Sequence, residues 1–142
     1  MRFVSRVVPF LLLAVFTVGG EGCAGSPQLE IRGAEARRSS MFGGACAVFL
    51  EILNSGEGGD VLVGAAVDLP GAIVELHDVK DGRMVRTEKV AIPARGSVAL
   101  KPGGLHVMVF NLPEDARAGT ELELRLRFET SGERQTSVRI HG

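Results

Sequence analysis

The stretch 75-ELHDVKDGRMVRTEKVAIPARGSVALKPGGLHVMVFNL-112 decides the fold of this 142-residue chain, because turn residues cut it into short extended segments. Asp81-Gly82 lies between two such segments, and this dipeptide is a strong signal for a two-residue hairpin of type I′. Zipping outward from that turn pairs Lys80 with Arg83, Val79 with Met84, and His77 with Arg86. Pro102-Gly103-Gly104 is a second tight turn, which opens the apolar segment Leu105–Leu112.

The same grammar continues on both sides. Glu121-Leu122-Glu123-Leu124-Arg125-Leu126-Arg127-Phe128 alternates charged and apolar residues without a break, which describes a strand with one face on a core and the other in water. Further strands are expected at Ala45–Leu53, Asp60–Val67, Gly71–Val79, Met84–Val90, Val98–Lys101 and Gln135–Ile140. The run from Ser26 to Ser40 reads as a linker into a first edge strand near Leu29–Ile31. Asn54-Ser55-Gly56-Glu57-Gly58-Gly59 is rich in turn formers, and Asp60 after it reads as a loop-capping residue. Roughly eight short strands with turns every 8–12 residues, and no amphipathic helical window, predict an all-β, antiparallel two-sheet Greek-key sandwich.

The central stretch also holds two of the three histidines and two of the four methionines. Side chains at i and i+2 of a strand leave the same face, so His106 and Met108 can grip one object together. In the hairpin, His77, Val79, Met84 and Arg86 share a face, and His77 and Met84 become diagonal neighbours roughly 7–8 Å apart, within reach of long side chains. A lone histidine or methionine on a strand is ordinarily a core or surface residue. The spacing of His77, Met84, His106 and Met108 is what makes them a candidate metal set. Thioethers favour copper(I), imidazole suits copper in either oxidation state, and no nearby cysteine cluster competes for zinc.

With those residues in view, the chain resembles the periplasmic copper(I) chaperones of the PCu(A)C family. That family's pattern is His, ten residues, Met, twenty-one residues, His, one residue, Met. Here twenty-one residues separate Met84 from His106 and one separates His106 from Met108, while six separate His77 from Met84. The first hairpin is thus four residues shorter than the family's. The resemblance covers the chain from about Leu29 to Ile140. It implies a cupredoxin-like version of the sandwich, copper(I) as the bound ion, and delivery of copper to a cytochrome oxidase subunit or its assembly factor, or buffering of copper in the periplasm.

Residues 1–22 read as an export signal: Arg2 and Arg6 form a basic start, Val7–Val18 an apolar run too short to span a membrane. Gly22-Cys23 has the small residue and cysteine of a bacterial lipoprotein cleavage site, which makes Cys23 a lipidation candidate that would anchor the domain to a membrane. Ordinary cleavage near Ala24 is the alternative. Residues 23–40 then form the N-terminal linker and edge strand, and residues 41–142 the copper-binding domain. Loss of Arg2, Arg6 and Glu21 takes the 16 basic and 17 acidic residues of the whole chain to 14 and 16, a net charge of −2. Such a balance lacks the basic stripe that nucleic acid requires.

Cys46 lies in the apolar run Ala45–Leu50 and reads as a buried, inert strand residue. No Ser/His/Asp order with local signatures is present, and the candidate ligands offer no general base, which argues against an enzyme. Two function classes follow: an exported, monomeric copper(I) carrier, or a metal-free, exported or lipid-anchored sandwich that binds a protein partner through its fold alone.

Overall fold

Alternating apolar residues make the strands of this chain, and glycine, proline and asparagine end them. A computed structural model describes residues 25–142. Its ten strands are β1 (Leu29–Arg38), β2 (Cys46–Asn54), β3 (Asp60–Val67), β4 (Ile73–Lys80), β5 (Arg83–Arg86), β6 (Val90–Ile92), β7 (Gly96–Leu100), β8 (His106–Phe110), β9 (Glu121–Phe128) and β10 (Gly132–His141). No helix forms among the described residues. The all-β expectation holds.

Hydrogen-bonded neighbours run in the order β5-β4-β8-β2-β1-β10-β9-β3-β6, and β7 pairs with β2 as well. The strand β2 serves both, giving Cys46–Val48 to β8 and Leu50–Asn54 to β7. The ribbon folds over so that its two halves share one core. Val48, Leu50 and Ile52 of β2 and Val107 and Val109 of β8 lie in the same buried cluster as Leu122, Leu124, Leu126 and Phe128 of β9. Each such side chain contributes roughly 1.5–3 kcal/mol by leaving water. The faultless alternation at Glu121–Phe128 thus becomes the floor of the core.

Three features differ from the expectation. The segment expected to be a linker with an edge strand near Leu29–Ile31 is instead a ten-residue strand in the interior of the order, between β2 and β10. A bulge between Arg32 and Glu35, with Gly33 at φ 59°, slips its register by one place. Leu29 and Ile31 pack on the core before the bulge and Ala34 and Ala36 after it, so the period-2 pattern changes phase midway and the sequence looks irregular. Secondly, β1 and β10 run parallel, the one departure from antiparallel pairing among the described strands.

Thirdly, the single strand expected over Met84–Val90 is two. The strand β5 pairs with β4, whereas β6 pairs with β3 at the other end of the order. Thr87 donates a last hydrogen bond to Leu76 O at 2.8 Å, after which the chain crosses over and buries Val90 and Ile92 in the core.

Two buried polar side chains tie loops to this frame. Asn54 Oδ1 accepts from Gln28 N and Gly56 N, while its Nδ2 donates to Gly58 O at 2.8 Å and Pro93 O at 3.0 Å. Asp60 accepts from the amides of Val61, Thr130 and Ser131 at 2.8–2.9 Å. It is the loop cap that its position suggested. Burial alone would raise its pKa, but the hydrogen bonds from Ser131, Thr130 and Val61 outweigh it and hold the carboxyl below its usual value. A lowered folded-state pKa stabilises the fold above the unfolded carboxyl's pKa, and that contribution is lost as pH falls through the folded value.

Candidate metal centre

The β4–β5 turn sets the geometry of the first two candidate ligands. Asp81 and Gly82 have φ of 51° and 71°, the two positive values a type I′ turn demands. The register is Lys80↔Arg83, Val79↔Met84 and His77↔Arg86. The pairing expected from the sequence is therefore the pairing observed.

The strand β4 also pairs with β8 on its other side, with Ile73↔Phe110, Glu75↔Met108 and His77↔His106. His77 and His106 are thus directly opposed, and Met108 is diagonal to His77. The imidazole centroids stand 5.9 Å apart. His77 occupies the middle: His106 and Met108 flank it on the β8 side, and Met84 sits diagonally on the β5 side. The structure brings His77, His106 and Met108 together. Met84, half-buried beside Val79, lies one strand further out and does not neighbour His106 or Met108 in register.

Val107 and Val109 point into the sandwich core, so His106 and Met108 emerge on the opposite face of β8. Both are nevertheless buried, at 6 % and 2 % exposure. Aromatic rings provide the cover. Phe110 stands 6.0 Å from His77, Phe49 stands 6.3 Å from His106, and Phe42 meets Phe110 edge-on at 6.1 Å. The imidazoles and the thioether thus form a cluster shielded from water on the outer face of the sheet.

In the neutral form of each ring, the form that can bind a metal, the hydrogen bonds fix which nitrogen carries the proton. His106 Nδ1 lies 2.7 Å from Gly104 O, and a carbonyl only accepts, so Nδ1 holds the hydrogen and Nε2 keeps its lone pair. His77 Nε2 lies 2.9 Å from Glu75 Oε2, and a carboxylate only accepts, so Nε2 holds the hydrogen there. His77 Nδ1 is then a bare acceptor. It is buried and is the one buried side-chain nitrogen or oxygen without a hydrogen-bond partner among the described residues. An unsatisfied buried acceptor costs about 1–3 kcal/mol, a cost removed by a cation on its lone pair. One donated N–H and one free lone pair on each ring is also the arrangement that metal-binding histidines adopt. The donor set fits a soft metal ion.

Comparison with known proteins places the chain. The family model described as "Putative lipoprotein LpqE-like" matches residues 29–140. The chain belongs to the LpqE-like family. A curated relative, "Putative lipoprotein Lxx21020" of Leifsonia xyli subsp. xyli, is 25 % identical over 155 aligned positions that cover 99 % of this chain and 93 % of the relative. Among solved structures, the apo PCuAC domain from PmoF1 superposes with a TM-score of 0.68 at 25 % identity, covering 80 % of this chain and 93 % of that one. The solution structure of CuI-DR1885 from Deinococcus radiodurans gives 0.63 at 22 % identity, covering 77 % of this chain and 75 % of that one. The resemblance to the PCu(A)C family is borne out by these neighbours, and the sandwich of this LpqE-like chain is the cupredoxin-like one.

Glu75 and the covering rings of Phe49 and Phe110 are contributors to the centre that were not singled out in the sequence. Glu75 stands two residues before His77, a spacing that places both on one face of a strand, and that spacing was the available signal. The covering rings of Phe49 and Phe110 come from strands whose pairing only the fold supplies. Cys46 behaves as expected: it is a free thiol buried on the core side of β2, and burial pushes its pKa up to about 11 against a small opposing pull from Arg38. Such a thiol stays protonated and is a poor ligand. Cys23 lies outside the described residues.

Proposed function

We propose that this LpqE-like protein is an exported copper(I) chaperone whose cargo is held by His77 Nδ1, His106 Nε2 and the Met108 sulfur, with Met84 joining from the outer strand. The carrying observation is the buried, partnerless Nδ1 of His77 beside an imidazole whose Nε2 is also free. Nothing in the described fold uses these lone pairs otherwise. The Deinococcus neighbour was solved in its copper(I) form, which supports the choice of ion. So does the chemistry, since two imidazoles with one or two thioethers suit copper(I) better than zinc or a hard cation.

A carrier must also release its ion. The centre sits on the outer face of the sheet under aromatic rings, among them Phe42, which is 43 % exposed. That cover limits access by water while leaving the ligands close to the surface for a receiving protein. We read the acceptor as a cytochrome oxidase subunit or its assembly factor, the working form as a monomer, and the location as the periplasm. The lipoprotein names of the family and of the Leifsonia relative support attachment to a membrane through lipid at Cys23.

Competition of the exported domain with a chromophoric copper(I) chelator, under reducing and oxygen-free conditions, should show one copper(I) bound per chain. No copper(I) withdrawn from the chelator would leave a metal-free interaction module as the reading.

A further inference from the structure

We infer that Glu75 is the residue that selects Nδ1 of His77 as a copper donor, acting as a positioning residue that never touches the ion. This inference rests on the copper reading above and adds to it the device that prepares one of its ligands.

A histidine free in solution prefers to carry its hydrogen on one ring nitrogen only slightly over the other, so a ligand built on it needs a partner to choose. For His106 that partner is backbone: Gly104 O, placed by the Pro102-Gly103-Gly104 turn with Gly103 at φ 81°, takes the Nδ1 hydrogen. For His77 no carbonyl serves. The partner is the Glu75 side chain, whose Oε2 takes the Nε2 hydrogen at 2.9 Å. The two histidines therefore present different nitrogens, Nδ1 from β4 and Nε2 from β8, although they face each other in register.

Glu75 itself is held in place. Its side chain is 24 % exposed and that of His77 only 12 %, so the bond between them is shielded from water. The other oxygen, Oε1, meets Arg86 at 3.3 Å, but Arg86 is 68 % exposed and such a pair is worth little by itself. The register makes this local trio automatic: Glu75 and His77, two residues apart, share one face of β4, and Arg86 is the cross-strand partner of His77. Although Glu75 lies opposite Met108, both its oxygens are engaged, and a hard carboxylate is a poor donor to copper(I). Its role is therefore orientation rather than ligation.

The test uses the mature domain with ¹⁵N-labelled histidine. Long-range ¹H–¹⁵N spectra of the copper-free protein should show His77 protonated at Nε2, and Glu75→Ala should convert it to a mixture of tautomers. Glu75→Gln, whose amide oxygen still accepts the hydrogen, should keep the Nε2–H form. Copper(I) affinity should fall about 10–100-fold in Glu75→Ala, the usual cost of removing such an outer partner, and less in Glu75→Gln. His77 protonated at Nδ1 in the parent protein, or an unchanged tautomer and affinity in Glu75→Ala, would overturn the inference. If the parent protein binds no copper(I), the functional reading fails, while the copper-free spectra still decide whether Glu75 sets the tautomer.

Discussion

Replacing His106 by alanine is expected to weaken copper(I) binding by more than about 100-fold, exceeding the cost of losing an outer hydrogen-bond partner. His106 supplies an Nε2 lone pair that nothing else in its surroundings can replace, since its neighbours are Phe49, His77 and the buried thioether of Met108. The fold should persist in the variant, because β8 is anchored by Val107 and Val109 on the core face. Competition titration measures the affinity, and circular dichroism of the same sample checks the fold. A folded His106→Ala protein that binds copper(I) as tightly as its parent would move the site elsewhere.

The second large effect concerns stability. Asn54 is 2 % exposed and its side chain satisfies two amides and two carbonyls drawn from four places in the chain, Gln28, Gly56, Gly58 and Pro93. Alanine at this position orphans all four at once, and each buried group left without a partner costs about 1–3 kcal/mol where water cannot reach it. Since Gln28 and Gly58 lie near the surface, partial rescue by water is built into an expected loss of about 2–4 kcal/mol. For a domain of this size that lowers the melting temperature by roughly 10 °C. Copper(I) affinity measured well below the transition should be unchanged, since Asn54 lies at the end of β2 remote from Cys46–Val48, where that strand meets β8. A melting temperature within about 2 °C of the parent would mean that water satisfies the loop without Asn54.

What could be read from the sequence follows the range of the interactions involved. The β4–β5 hairpin was legible down to its pairing because Asp81-Gly82 is a local signal and register follows from turn length. The strand Glu121–Phe128 was legible because one side faces the core and the other water throughout. By contrast, β1 hid behind its bulge at Arg32–Glu35, where the alternation changes phase. The break between β5 and β6 hid because Thr87-Glu88-Lys89 contains no glycine or proline to announce a crossing between sheets.

The candidate site shows the same division. The two ligand pairs, His77 with Met84 and His106 with Met108, follow from local spacing. Their meeting depends on β4 pairing with β8 across nearly thirty residues of chain, and with it comes the placement of Met84 one strand away from the other three. The ring nitrogens that stay free depend on Glu75 and Gly104 O, and those partners only become visible once the backbone is folded.

The most direct measurement is titration of copper(I) into domain labelled with ¹⁵N-histidine and ¹³C-methyl-methionine. One equivalent should saturate changes at His77 Nδ1, His106 Nε2 and the methyl groups of Met108 and Met84, leaving His141 and the exposed Met41 untouched. Changes at His141 or Met41 in their place, or a histidine spectrum that copper(I) leaves unaltered, would contradict the account.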